Sequence, residues 1–128
     1  MKDFALLLGR VLIAAIFLTS GYAKLKGYEG TEEYIKTLGV PGAVMPLLLL
    51  WELGGGLAIL LGFFTRPAAL ALAVFCVVTA WLVHYHPADQ MQMINFMKNL
   101  AMTGGFLYVA VTGAGAWSLD RKLKLKWA

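Results

Sequence analysis

Charge is scarce in this sequence: only 14% of its 128 residues are Asp, Glu, Lys or Arg, while 60% are hydrophobic, against roughly a quarter and about half in soluble domains. So short a chain buries too little of itself to hide that much apolar surface from water. Lipid must cover the remainder. Cysteine is nearly missing, and the single Cys76 excludes an intramolecular disulfide and a CxxC redox pair. Lying between Phe75 and Val77, it reads as a small core hydrophobe. The two histidines, His84 and His86, point to different faces of a helix, and with no further histidine and no cysteine beyond Cys76 to complete a site they read as interfacial side chains. No metal and no intrinsic cofactor is expected. The run Gly54-Gly55-Gly56 lacks both the GxxxxGK[ST] frame and a preceding strand, so it reads as a site of close helix approach rather than a nucleotide loop. A net charge of +4 falls between apolar runs and in the tail rather than on one polar face, which argues against nucleic acid as a partner.

What the sequence does contain is four apolar stretches, residues 4–22, 44–64, 67–83 and 94–112. Each is close to the roughly 20 residues that a helix needs to cross a bilayer. None alternates as a membrane-barrel strand would. The expected fold is all-α: a single domain over residues 1–128, built as an integral membrane four-helix transmembrane bundle with a short interfacial helix after the first span. Thr31 is placed to cap that short helix, with Glu32 and Glu33 in its first turn and Gly39 and Pro41 to stop it. Thr65-Arg66-Pro67 is the expected turn between the second and third spans. The first stretch carries Arg10 and ends without an A-x-A-like site, so it reads as a retained span rather than a cleaved signal. Lys2, Arg66, Arg121, Lys122, Lys124 and Lys126 gather on one side, which the positive-inside rule makes cytoplasmic, with both termini on it. Arg10 and the residues after it echo Arg66 and its followers, and Gly54 to Gly56 echo Gly104-Gly105. Two fused helical hairpins would produce that pattern.

Within the spans the informative residues are ionisable, because a charge at mid-bilayer costs roughly 2.5–3.5 kcal/mol even on lenient insertion scales. Here they are Arg10, Glu52 and Lys98, with Asn99 beside the last. Arg10, Phe17, Gly21 and Lys24 share one face of the first helix. At helical rise Glu52 lies roughly 12 Å below the outer surface and Lys98 roughly 6–9 Å below it, which makes Glu52 the expected hub between the two cations Arg10 and Lys98. Arg10, Lys24, Glu52, Lys98 and Asn99 are therefore the candidate ligand-binding pocket. The alternative is that these charges only fix helix register. An aromatic cage from Trp51, Trp81 and Phe96 is a further arrangement to look for, and Met91, Met93, Met97 and Met102 read as core filling.

Gly9-Arg10, Phe17-Leu18 and Ser20-Gly21-Tyr22-Ala23-Lys24-Leu25, followed by Gly39-Val40-Pro41, Glu52 with Gly55-Gly56, and Leu61-Gly62-Phe63-Phe64-Thr65-Arg66, make an ordered set. It continues through Phe96-Met97-Lys98-Asn99-Leu100, Gly104-Gly105, Gly113, Gly115 and Ser118-Leu119-Asp120. Over nearly the whole chain this resembles the DoxX family of membrane proteins, in particular small inner-membrane members from enteric bacteria. The resemblance implies a four-helix membrane bundle and an association with redox systems, since related proteins are named as subunits of thiosulfate:quinone oxidoreductase or as membrane partners of thiol and oxidative-stress enzymes. No flavin, haem or dithiol motif stands in this chain. The leading reading is thus a redox-associated subunit of the inner membrane whose charged pocket holds a small apolar ligand with a polar head, such as a quinone. A non-catalytic adaptor docking a membrane or redox protein is the second reading. A transporter is the third, and would need a homo-oligomer to make room for alternating access.

Overall fold

No proline and no β-branched run interrupts residues 2–26, and the first helix, α1, continues unbroken over Lys2–Lys26. It presents Arg10, Ala14, Phe17 and Gly21 to the interior, which is the face the sequence periodicity marks out. The computed structural model describes residues 1–128 and is all-helical, with no strand. After Gly27 the chain turns into α2, Tyr28–Thr37. That helix starts three residues before Thr31, so Thr31 lies inside it rather than capping it. The chain leaves α2 through Gly39, whose φ is +84°.

The long helix α3, Gly42–Leu61, is composite. A 3-10 turn at Gly42–Val44 leads into an α-helical turn, then a wider π turn at Leu50–Gly54, then regular helix again over Gly55–Leu61. Helix α4, Thr65–His84, likewise ends in a π turn at Ala80–His84. The α3–α4 connection is Gly62-Phe63-Phe64, earlier than the expected Thr65-Arg66-Pro67, because Gly62 takes the left-handed conformation that ends α3. A Cβ at Gly62 would overlap Arg10 Nη1 and Ser118 Cβ, so its lack of a side chain is needed twice over. Pro67 still falls in the first turn of α4, where its missing N–H costs nothing. Helix α5, Gln90–Thr112, begins at Asp89, whose carboxylate accepts from the Met91 and Gln92 amides at 3.0 and 3.2 Å. A four-residue helix, α6, Leu119–Lys122, closes the chain.

Three of these helices, α1, α3 and α4, are long and apolar enough to cross a membrane. Helix α5 has the length, but Asn95, Lys98 and Asn99 dilute its apolarity. The core between the helices centres on Phe17, Ile59, Leu72, Phe75, Cys76 and Phe106. Phe75 stacks edge-on against Trp51 and Phe17, with ring centroids 5.3 and 6.1 Å apart, and Phe17 meets Phe106 at 5.3 Å. The Trp51 indole N–H, donating to the Ala71 carbonyl at 2.9 Å, ties α3 to α4. Trp81 and Phe96 instead cluster with Tyr85, so no single cage forms with Trp51. Met91 and Met97 face outward rather than filling the core.

Candidate functional site

The ionic groups separate into two clusters, and Arg10 does not share one with Glu52. At the end of the bundle where α3 meets α4, the Arg10 guanidinium is 2% exposed. Its Nη1 donates to the carbonyls of Ile59 and Leu60, both at 3.2 Å, and its Nη2 donates to that of Trp117. The Ile59 carbonyl also takes the Gly62 amide at 3.2 Å as α3 ends, and a cation suits the negative pole of the helix there. Across the Gly62-Phe63-Phe64 turn, the Asp120 carboxylate is fully buried and accepts from the amides of Phe64 at 2.7 Å and Thr65 at 2.9 Å, the first N–H groups of α4. An anion at a helix N-terminus is favoured for the converse reason. The Asp120 amide also donates to the Gly62 carbonyl at 2.8 Å. Arg10 and Asp120 thus each satisfy a helix end rather than forming an ion pair, and the tail segment Trp117–Asp120 straps the turn between α3 and α4.

The second hairpin carries a parallel contact. Arg66, near the start of α4, donates to the carbonyls of Ala110 at 3.2 Å and Val111 at 2.7 Å near the end of α5. Arg10 does the same from α1 to the end of α3, so the arginine echo in the sequence corresponds to one repeated structural device.

The other cluster lies in the opposite half of the bundle and is the candidate site. Glu52, 3% exposed, sits in the π turn of α3, and its two carboxylate oxygens each lie 3.0 Å from Lys24 Nζ. Helix α1 can pass this turn closely because residue 21 is glycine: a Cβ there would stand 2.5 Å from Leu53 Cδ2 and 3.4 Å from Glu52 Oε1. Lys24 Nζ also lies 5.7 Å from the centre of the Phe75 ring. Facing the pair from α5, Asn99 donates from Nδ2 to Thr79 Oγ1 at 2.8 Å and to the Cys76 carbonyl at 3.4 Å, pinning α5 to α4.

Lys24, Glu52, Lys98 and Asn99 all line one cavity of about 700 Å³. Arg10 does not line it, and the hub expected at Glu52 is supplied by Lys24 rather than by Arg10 and Lys98. The remaining wall is mostly apolar, drawn from Phe17, Leu48, Trp51, Phe75 and Met102, with α2 contributing Tyr34 and Ile35 and the residue after it, Leu38. Helix α2 therefore closes one side of the cavity, with Ile35 packed on Met45 and Leu49. His84, read from the sequence as interfacial, also reaches the cavity, and its Nδ1 lies 2.8 Å from Gln92 Oε1. Both π turns border the cavity, one through Glu52 and one through Val83 and His84; such widened turns recur at functional sites. No group of three or more His, Cys, Asp or Glu is placed to hold a metal ion.

Apolar helices of membrane-crossing length around a buried carboxylate, its lysine partner and a cavity define an α-helical integral membrane protein. The comparisons with known proteins agree and are more specific. The DoxX family profile matches residues 5–85, and the chain belongs to the DoxX family. It is 48% identical to the inner membrane protein YqjF of Escherichia coli over 127 residues, covering 99% of this chain and 98% of that one. It is 39% identical to the inner membrane protein YphA of the same organism, covering 94% and 91%. CatD of Bacillus subtilis, whose name carries a provisional oxidoreductase assignment, is 28% identical over 92% of this chain and 86% of its own length. No solved structure matches the chain significantly. The protein is therefore an inner-membrane protein of DoxX type.

Proposed function

We propose that the cavity bounded by the Lys24–Glu52 pair, Lys98 and Asn99 binds a small amphiphile, an apolar molecule with a polar head such as a quinone, and that the protein serves a membrane redox system through it. The observation that carries this reading is the placement of the charges. Burying a carboxylate in a low-dielectric interior is costly, and here the buried Glu52, held by the half-exposed Lys24, faces a cavity of about 700 Å³, within the roughly 300–1,000 Å³ typical of small-molecule sites. The provisional oxidoreductase name of CatD supports the redox association. The bundle crosses the bilayer four times in this reading. Helix α5 is the fourth span, at 23 residues or roughly 34 Å long, and its buried Asn99 is satisfied on α4 rather than left to lipid. The end carrying Lys2, Arg66 and the basic tail lies in the cytoplasm, and both termini with it.

Glu52→Gln removes one of the two charges and keeps the shape. The small-molecule content of the purified protein, read by organic extraction and mass spectrometry, should show a quinone or other amphiphile at near-stoichiometric level in the native protein and a several-fold loss in Glu52→Gln. Identical extracts from the two proteins would contradict the assignment.

A further inference from the structure

The lining of the cavity is not neutral. Lys24 and Lys98 are its two cations and Glu52 its only carboxylate, with His84 the remaining titratable base. Lys24 is committed, donating to both oxygens of Glu52 at 3.0 Å. Lys98 has neither a hydrogen bond nor an ion pair to any residue of the chain; the ion pairs are Lys24–Glu52 and Lys36–Glu32. One uncompensated positive charge therefore borders a wall in which 17 of 26 residues are hydrophobic. A cation beside apolar surface is stabilised most by an anion that brings its own apolar body, because charge-assisted hydrogen bonds strengthen as water is displaced.

Lys98 also borders a second, shallow groove of about 420 Å³ on the outer face of α5, formed with Gln90, Met93, Ile94, Met97 and Ala101. Met97 and Ile94 are exposed there, on a surface that meets acyl chains when α5 spans the membrane. Lys98 thus borders both the lipid-facing groove and the cavity. A head group arriving laterally from the bilayer would meet Lys98 before anything else in the site.

Resting on the cavity reading above, we propose that its occupant is an amphiphile with an acidic head on a single acyl chain, the head seated on Lys98 and the chain lying against Phe17, Leu48 and Met102. The ammonium of Lys98 supplies the charge, and the closed Lys24–Glu52 pair is the polar wall against which the head packs, so that disrupting the pair also weakens the seat.

The test uses the full-length protein in phosphatidylcholine nanodiscs, with binding of palmitate, hexadecanol, lysophosphatidate and a short-chain ubiquinone followed by native mass spectrometry. The acidic probes should bind about tenfold more tightly than hexadecanol. Lys98→Gln should remove that advantage, bringing palmitate and lysophosphatidate to the level of hexadecanol on the same variant. Lys98 is exposed, so the variant is expected to fold, and its thermal midpoint checks that it has. Tighter palmitate than lysophosphatidate identifies a carboxylate head and the reverse a phosphate; both support the proposal. Equal binding of palmitate and hexadecanol, a preference for the neutral ubiquinone, or an acid preference that survives Lys98→Gln overturns it and leaves the cavity reading intact. Binding of none of the four probes removes the cavity reading itself.

Discussion

Asp120→Ala should be among the most destabilising single substitutions in this protein, lowering the unfolding free energy in detergent micelles by about 3–4 kcal/mol. The carboxylate is fully buried and takes the amides of both Phe64 and Thr65 at the start of α4. Alanine would leave both N–H groups facing a dry interior, and hydrogen bonds to a charged acceptor contribute about 1.5–3 kcal/mol each. The substitution also frees the tail segment that shields Arg10, whose Nη2 donates to the Trp117 carbonyl. Asp120→Asn keeps an acceptor oxygen for one of the two amides and should lose about half as much. Denaturant titration followed by circular dichroism measures both variants. A loss below about 1 kcal/mol for Asp120→Ala would mean that the strap contributes nothing to the bundle.

Lys24→Met should destabilise by about 2–3 kcal/mol, less than the roughly 3–5 kcal/mol for breaking a fully buried pair. The discount arises because the Lys24 side chain is 37% exposed and partly screened, whereas that of Glu52 is 4% exposed and would be left without its partner. Lys24→Met combined with Glu52→Met removes both charges and should return stability to within about 1 kcal/mol of the native protein, or above it. The same double variant should lose the bound amphiphile. Recovery of stability together with loss of ligand assigns the pair a binding role. Full retention of ligand and cellular activity in the double variant would reduce the pair to a register device and favour an adaptor.

The helical class was legible in the sequence because runs of about twenty apolar residues have few other solutions in lipid. The inward face of α1 was legible for a similar reason: Arg10, Phe17 and Gly21 recur at helical spacing, and all are buried. The partner of Glu52 was harder to read. Depth along a helix axis orders charges by height but not by azimuth, and the π turn at Leu50–Gly54 shifts the register of the side chains it carries. Lys24 won that contact, and Arg10 turned instead to the carbonyls at the end of α3. Asp120 was missed as a structural residue because it stands among Arg121, Lys122, Lys124 and Lys126 in a tail that looks solvated. The available signal was Ser118 two residues earlier, a helix-capping residue whose Oγ accepts from the Arg121 amide at 3.2 Å. The cavity itself left no local trace, since its walls come from α1 to α5 and only packing brings them together.

A high-resolution density map of the protein in native-lipid nanodiscs addresses the binding site most directly. Elongated density should run between the closed Lys24–Glu52 pair and Lys98, ending in a head group within hydrogen-bond distance of the lysine. A cavity filled by repacked side chains, or Lys98 folded inward onto Glu52 with no other molecule between them, would contradict it.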